Sequence, residues 1–363
     1  MTTELGRLIA RRIAAAGPIT LADFMAEALG HPRLGYYRKA RPIGAAGDFT
    51  TAPEITQMFG ELLGAWLAER WQAMGSPGSV NLVELGPGRG MLLADAFRAT
   101  RTVPGFHTAL KLHLVEINAT LRSDQAKALA AFAPTWHERF DDVPAGPLLL
   151  IANEFFDALP VRQFHRSAEG WHERMVGLAP DGESLTLALA PGGSPYAAVL
   201  PDGAPGAEAE VSHAAAALAG AIGGRVARDG GWALIVDYGR DESGLGSSLQ
   251  AVREHRRVGL LDDPGETDLS AHVDFGMLAA AARGAGAEVF GPASQGDFLR
   301  RIGIERRAAS LKARASAMQR VEIDAALARL LAPDQMGTLF RVLALGHEGD
   351  GNGDPPAGFS DTR

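Results

Sequence analysis

The sequence predicts an α/β fold built on a mostly parallel, open sheet with helices on both faces. Three observations carry this expectation. Five short apolar runs, at 80–85, 112–117, 148–152, 233–237 and 339–345, are apolar on both alternating faces, as strands covered on two sides are. Helix-like stretches such as 121–132 and 276–284 separate several of them, the alternation that produces a parallel sheet. Finally, the run Leu82–Leu85 ends in the glycine-rich Gly86-Pro87-Gly88-Arg89-Gly90, and 91–97 continues with helical composition. A strand–turn–helix of this kind brings bare backbone close to a ligand, because glycine has no side chain to obstruct it and tolerates positive φ.

The totals bound the function. With 363 residues, 46% of them hydrophobic, the chain can bury a sizeable core in one large domain or two ordinary ones. A net charge of −8 argues against general nucleic-acid binding, which needs a basic surface. The absence of cysteine removes disulfides, thiolate metal sites and a cysteine nucleophile. No stretch approaches the roughly 20 apolar residues of a membrane span. Arg7, Arg11 and Arg12 lie on an amphipathic N-terminal pattern. Glu4 and the direct run into Gly17-Pro18 favour an ordinary first helix over a presequence. The expected location is the cytoplasm for a bacterial chain and the mitochondrial matrix for a eukaryotic one.

From the N-terminus, Leu5, Leu8, Ile9 and Ile13 have helical spacing. Gly17-Pro18 breaks that helix, and Thr20 is placed to cap a second with Leu21, Phe24, Met25 and Leu29 inward. The segment 31–46 reads as loop. A long amphipathic helix is expected over 53–74, with Pro53 in its first turn. Between 160 and 189 the pattern becomes that of a β insertion, with strands at 161–165, 171–176 and 184–189. A Gly/Pro/Ala-rich loop at 192–206 and a helix at 208–226 follow. The expected division is an N-terminal helical region (1–75), a core (76–160 and 227–346), a β/helical insertion (161–226) and a disordered tail (347–363). A homodimer stays open, since an exposed apolar face cannot be told from core in a sequence.

The acids narrow the cofactor. Glu116 ends the second strand, 26 residues past Gly90, near the distance at which an acid binds ribose hydroxyls. A dinucleotide site favours G-x-G-x-x-G, but here the third glycine comes one residue early and Glu84 precedes the turn. A carboxylate there repels a pyrophosphate and tolerates a cation such as S-adenosylmethionine. A third strand delivers Asn153, Glu154 and Asp157 to the sheet edge where ligands bind. Glu154 and Asp157, three apart, suit holding a guanidinium or ammonium; helix capping explains them equally well. Polar residues crowd 47–57, where capping by Thr50 or Thr51 is a sufficient account. Asp237-Tyr238-Gly239 ends another strand on the same edge. No metal-ligand spacing and no G-x-S-x-G elbow occurs.

Six segments stand here in one order: GDFTTAPEITQMFGE (47–61), VELGPGRG (83–90), HLVEIN (113–118), ANEFFDALPVRQF (152–164), DYG (237–239) and DLSAHVDF (268–275). Together they resemble the MidA-like S-adenosylmethionine-dependent methyltransferases, over nearly the whole chain from Gly17 to about Leu345. The resemblance implies a class I methyltransferase-like (Rossmann-like) fold and S-adenosyl-L-methionine as cofactor. Its cofactor site falls on Glu84, Gly86, Pro87, Gly88, Glu116 and Ile117, with Gly47, Thr50, Pro53 and Gln57 from a covering segment. Asp141 or Asp142 meets the adenine. Asn153 and Glu154 face the methyl donor and acceptor, and Asp157 holds the acceptor guanidinium. The mitochondrial member is an arginine methyltransferase that assists respiratory complex I assembly, so the resemblance implies symmetric dimethylation of arginine on a complex I subunit or similar protein. Other readings are a metabolite methyltransferase, an assembly chaperone with a vestigial fold, and a nicotinamide oxidoreductase.

Overall fold

The computed structural model describes residues 3–39, 51–347 and 355–359. Seven strands form the path of the central sheet: β1 (Val80–Leu85), β2 (Leu110–Val115), β3 (Thr135–His137), β4 (Leu148–Asn153), β5 (Gly231–Arg240), β6 (Glu288–Ser294) and β7 (Phe340–Gly346). Their order is 3-2-1-4-5-7-6, and Val273–Asp274 pairs with the end of β5 as an eighth strand. The first five run parallel, while β7 lies antiparallel to both β5 and β6. The predicted α/β class and mostly parallel sheet are therefore present. Every residue of β1 and β4 is buried, because helices cover both faces. Gln57–Ala73 and Met91–Thr100 pack on one face, His213–Asp229 and Phe275–Gly284 on the other. The order reverses between β1 and β4, which opens a crevice at the carboxyl ends of these two strands.

The two N-terminal helices form at Glu4–Ala16 and Leu21–Gly30, the second capped by the Thr20 hydroxyl as expected. They build a separate apolar cluster with Val161, Val176 and Leu269. The insertion strands Arg162–Arg166, Trp171–Leu178 and Leu185–Leu189 form with Glu208–Val211 and Ile19–Thr20 a second, five-stranded sheet.

Four expectations differ from the structure. The helix expected at 53–74 is two, Ala52–Ile55 and Gln57–Ala73, because Thr56 is extended (φ −161°) and caps the second with its own hydroxyl. The helix expected at 208–226 begins as the strand Glu208–Val211; Ser212 then caps His213–Asp229. That helix covers the central sheet through Ala215, Ala219, Ile222 and Val226 rather than belonging to the insertion. The tail expected to be disordered returns at 355–359, where Phe359 packs on Phe298 (centroids 5.3 Å apart) and Ala357 O accepts the Trp66 indole N–H at 3.0 Å. A short apolar pair behind Gly, Asp and Pro carries too little periodicity to be read as docking. Helices Gln295–Arg301, Ile304–Lys312 and Ala317–Leu331 follow, and the last buries only three of its fifteen residues.

Candidate active site

The glycine turn leaves β1 at the crevice. Gly86 and Gly88 have φ of +61° and +52°, the left-handed region that glycine occupies without strain. Gly86 also needs its hydrogen: a Cβ there would stand 2.8 Å from the Phe155 ring. Just before the turn, Glu84 is 2% exposed. Its Oε2 has no hydrogen-bond partner among the described residues. Burial, with the charge of Glu116 second, pushes its carboxyl up to about 8.

Glu116 follows β2 and is held from two sides. Asn118 N–H donates to Oε1 at 2.7 Å and Gln125 Nε2 to Oε2 at 3.2 Å. Burial raises its pKa, and these donors oppose the rise. Gln125 also donates to Gly88 O at 2.7 Å and accepts from Trp136 Nε1 at 2.8 Å. It therefore ties the glycine turn to Glu116. Sequence reasoning missed it, since a glutamine on an unremarkable helix gives no signal of its contacts.

After β4 the chain turns sharply. Glu154 has φ +52°, a conformation of order 1 kcal/mol or more above the ordinary regions for a residue with a Cβ. Its N–H donates to Val236 O at 2.9 Å. Its Oε1 accepts from Ala52 N–H at 3.0 Å and Asn153 Nδ2 at 3.1 Å. Burial pushes Glu154 up to about 7, against the Ala52 hydrogen bond and with Asp157 adding to the rise. Asp157 is pushed up to about 6 by burial, opposed first by the Tyr238 hydroxyl that donates to its Oδ2 at 2.8 Å. Asp237, fully buried, accepts the backbone N–H groups of Phe155, Phe156 and Asp157 on Oδ2 and that of Tyr238 on Oδ1. Burial and the neighbouring Asp157 and Glu154 raise its pKa, and its backbone donors oppose that.

These groups share one chamber of about 390 Å³, lined by Gly86, Gly88, Glu116 and Ile117 and also by Glu154, Asp157, Tyr238, Tyr37 and Asp268. A smaller chamber of about 40 Å³, lined by Pro53, Glu84, Pro87 and Asn153, shares Thr51, Gly86, Gly88 and Glu154 with it. The structure thus brings together Pro53, Glu84, Gly86, Pro87, Gly88, Glu116, Ile117, Asn153, Glu154 and Asp157. It does not bring in Gln57, which is exposed at its helix start. Asp141 and Asp142 are also exposed, bound to Arg139, and line neither chamber; Glu138 lines the larger. Gly47 and Thr50 lie outside the described residues. Among the described residues no helix is long and apolar enough to cross a membrane, and no group of three metal-ligating side chains occurs.

The open, mostly parallel sheet with a glycine turn and buried carboxyls at its switch point is a Rossmann-like ligand-binding fold. The chain belongs to a family of S-adenosyl-L-methionine-dependent methyltransferases: residues 62–293 match the family model described as "Putative S-adenosyl-L-methionine-dependent methyltransferase". It is 35% identical to the mitochondrial protein arginine methyltransferase NDUFAF7 of Danio rerio, covering 93% of this chain and 85% of that one. The Homo sapiens protein of the same name is 34% identical over 94% and 83%. A crystal structure of a likely methyl transferase of the COG1565 superfamily from Burkholderia thailandensis, bound to S-adenosyl-homocysteine, superposes with a TM-score of 0.85. It is 28% identical and covers 98% of this chain and 93% of that one.

The site suits this cofactor. The unpartnered, buried Glu84 Oε2 offers an acceptor to a cation, and the bare backbone at Gly86 and Gly88 admits a close ligand.

Proposed function

We propose that the protein is an arginine N-methyltransferase acting on protein substrates, forming symmetric dimethylarginine on a respiratory complex I subunit or a similar protein. The observation that carries this reading is that Glu154 and Asp157 line the same chamber as the glycine turn and Glu116. The names of the Danio rerio and Homo sapiens relatives support it, as does the sequence resemblance for complex I.

Glu84, the glycine turn and Glu116 would hold the cofactor, Glu116 at the ribose hydroxyls. Bound S-adenosylmethionine supplies an electrophilic methyl on a sulfonium. The rest is positioning by this chain's own residues. An arginine with a pKa above about 12 is a poor nucleophile while its charge is delocalised. Glu154 and Asp157 hold that charge at one side of the guanidinium, which leaves one nitrogen richer in electrons. Asn153 Nδ2 and Ala52 N–H fix the orientation of Glu154 Oε1. With a carboxyl near 7, Glu154 takes the proton that the acceptor nitrogen loses.

The test is incubation of the enzyme with methyl-labelled cofactor and a lysate from a strain lacking this protein. Mass spectrometry of the labelled band should find dimethylarginine, and Glu154→Gln should abolish the label while leaving S-adenosylhomocysteine binding nearly intact. Label confined to small molecules would sink the reading in favour of a metabolite acceptor.

A further inference from the structure

The larger chamber has a wall that the methyltransferase sheet does not supply. The turn Tyr36–Arg38, which follows the second N-terminal helix, places Tyr37 at the chamber. Its hydroxyl donates to Asp268 Oδ1 at 3.0 Å. Asp268 is 4% exposed and opens the strand Asp268–Ser270. That strand is anchored to the acceptor side, since Ala271 N–H donates to Asp157 O at 3.0 Å. Two phenol–carboxyl pairs, Tyr37–Asp268 and Tyr238–Asp157, therefore line one cavity from different parts of the chain.

The Tyr36–Arg38 turn is also pinned on the cofactor side. Arg38 Nη1 donates to Ile117 O at 2.8 Å, and Asn118 Nδ2 donates to Lys39 O at 2.7 Å. Asn118 is the residue whose N–H holds Glu116. The position of Tyr37 is thus set from the ribose-type acid outward. A ligand donor is missing nearby as well: Asn153 Oδ1, on a side chain 8% exposed at the adjoining smaller chamber, has no partner among the described residues.

We propose that Tyr37 and Asp268 form a further acceptor-binding pair, giving the guanidinium a second carboxyl wall besides Glu154 and Asp157. This rests on the arginine reading above. A guanidinium carries five N–H donors in one plane, more than one carboxylate can accept. Asp268 takes donors that the Glu154 side leaves unfilled, and the Tyr37 hydroxyl orients its carboxyl. The burial of Tyr37, followed by the charges of Asp268 and Asp157, drives its ionisation well above the usual phenol range. It therefore remains a donor throughout the working pH range.

The test compares two ligands by calorimetry: 5′-alkyl adenosine, and the same compound ending in a guanidine. On the wild type the guanidine should tighten binding about tenfold or more, as charged hydrogen bonds do. Asp268→Asn should lose most of that gain, and Tyr37→Phe part of it, with S-adenosylhomocysteine affinity within about twofold of wild type, which also shows that the variants fold. A gain retained in both variants overturns the assignment of this pair and leaves the arginine reading standing. The absence of any gain on the wild type overturns both.

Discussion

The Asp237 carboxylate accepts the Asp157 backbone N–H at 3.2 Å, so an acid within β5 fixes the turn that follows β4 and carries Asp157. Three consecutive N–H groups converge on one Asp237 oxygen, and the neighbouring Tyr238 holds the Asp157 side chain. Two adjacent residues of one strand thus position both the backbone and the carboxyl of Asp157.

Asp237→Ala should leave these buried N–H groups without acceptors. The expected loss is about 3 kcal/mol of stability, at the upper end for an unsatisfied buried group, with a larger fractional loss of turnover than of S-adenosylhomocysteine affinity. Urea denaturation and calorimetry read the two. A midpoint like that of wild type would remove the anchoring role.

Stability of the ligand-free protein should fall as pH rises toward 9. Glu84 moves from an ordinary 4.5 to about 8 on folding. A carboxyl whose pKa is raised contributes stability that is fully present below the unfolded value and is lost as pH rises through the folded one. The window is therefore about 4.5 to 8. Glu84→Gln should flatten the fall in Tm between pH 6 and 9 and weaken cofactor binding. A Tm profile identical in the two proteins would contradict the burial of an ionisable Glu84.

The rate should depend on pH through the acceptor-side acids. Glu154 near 7 and Asp157 near 6 must both be ionised to hold a guanidinium. Then kcat/KM rises with pH, with its half-rise near 7. The two acids titrate as a coupled pair, so the limb belongs to both. Tyr238→Phe removes the hydrogen bond that lowers Asp157 and should move the acid limb upward. A limb unmoved by that change would show that Asp157 does not control the profile.

Phe359→Ala should cost about 3 kcal/mol, the lower part of the range for a buried phenylalanine, although it lies in a terminal segment rich in Gly, Asp and Pro. The ring packs against Phe298 at a tilt of 55° and is 8% exposed. A thermal melt within a degree of wild type would mean that this segment does not belong to the core.

The sequence by itself determined the sheet and the edge at which its glycine turn stands. The runs at 80–85 and 148–152 are largely apolar on both faces, as doubly covered strands are, and the glycines at 86 and 88 mark backbone that bends with positive φ. Glu84, Glu116, Asn153 and Glu154 were legible because each stands at a strand end, and Asp157 because it lies in the turn just beyond β4, where the topology delivers it to the crevice. The helix break at Thr56 was not legible, because a single extended residue leaves the apolar spacing on either side unchanged. Nor was the return of Phe359. Tertiary structure decided the partners: Asp237 under the 155–157 turn, Gln125 between Gly88 and Glu116, and Tyr37 against Asp268. These pairs are separated by up to 231 residues, and hydrogen bonds over such distances in the chain leave no periodicity or local composition to read. They depend on where whole elements pack, and that is settled by burial of the two faces of the sheet rather than by the residues that finally touch.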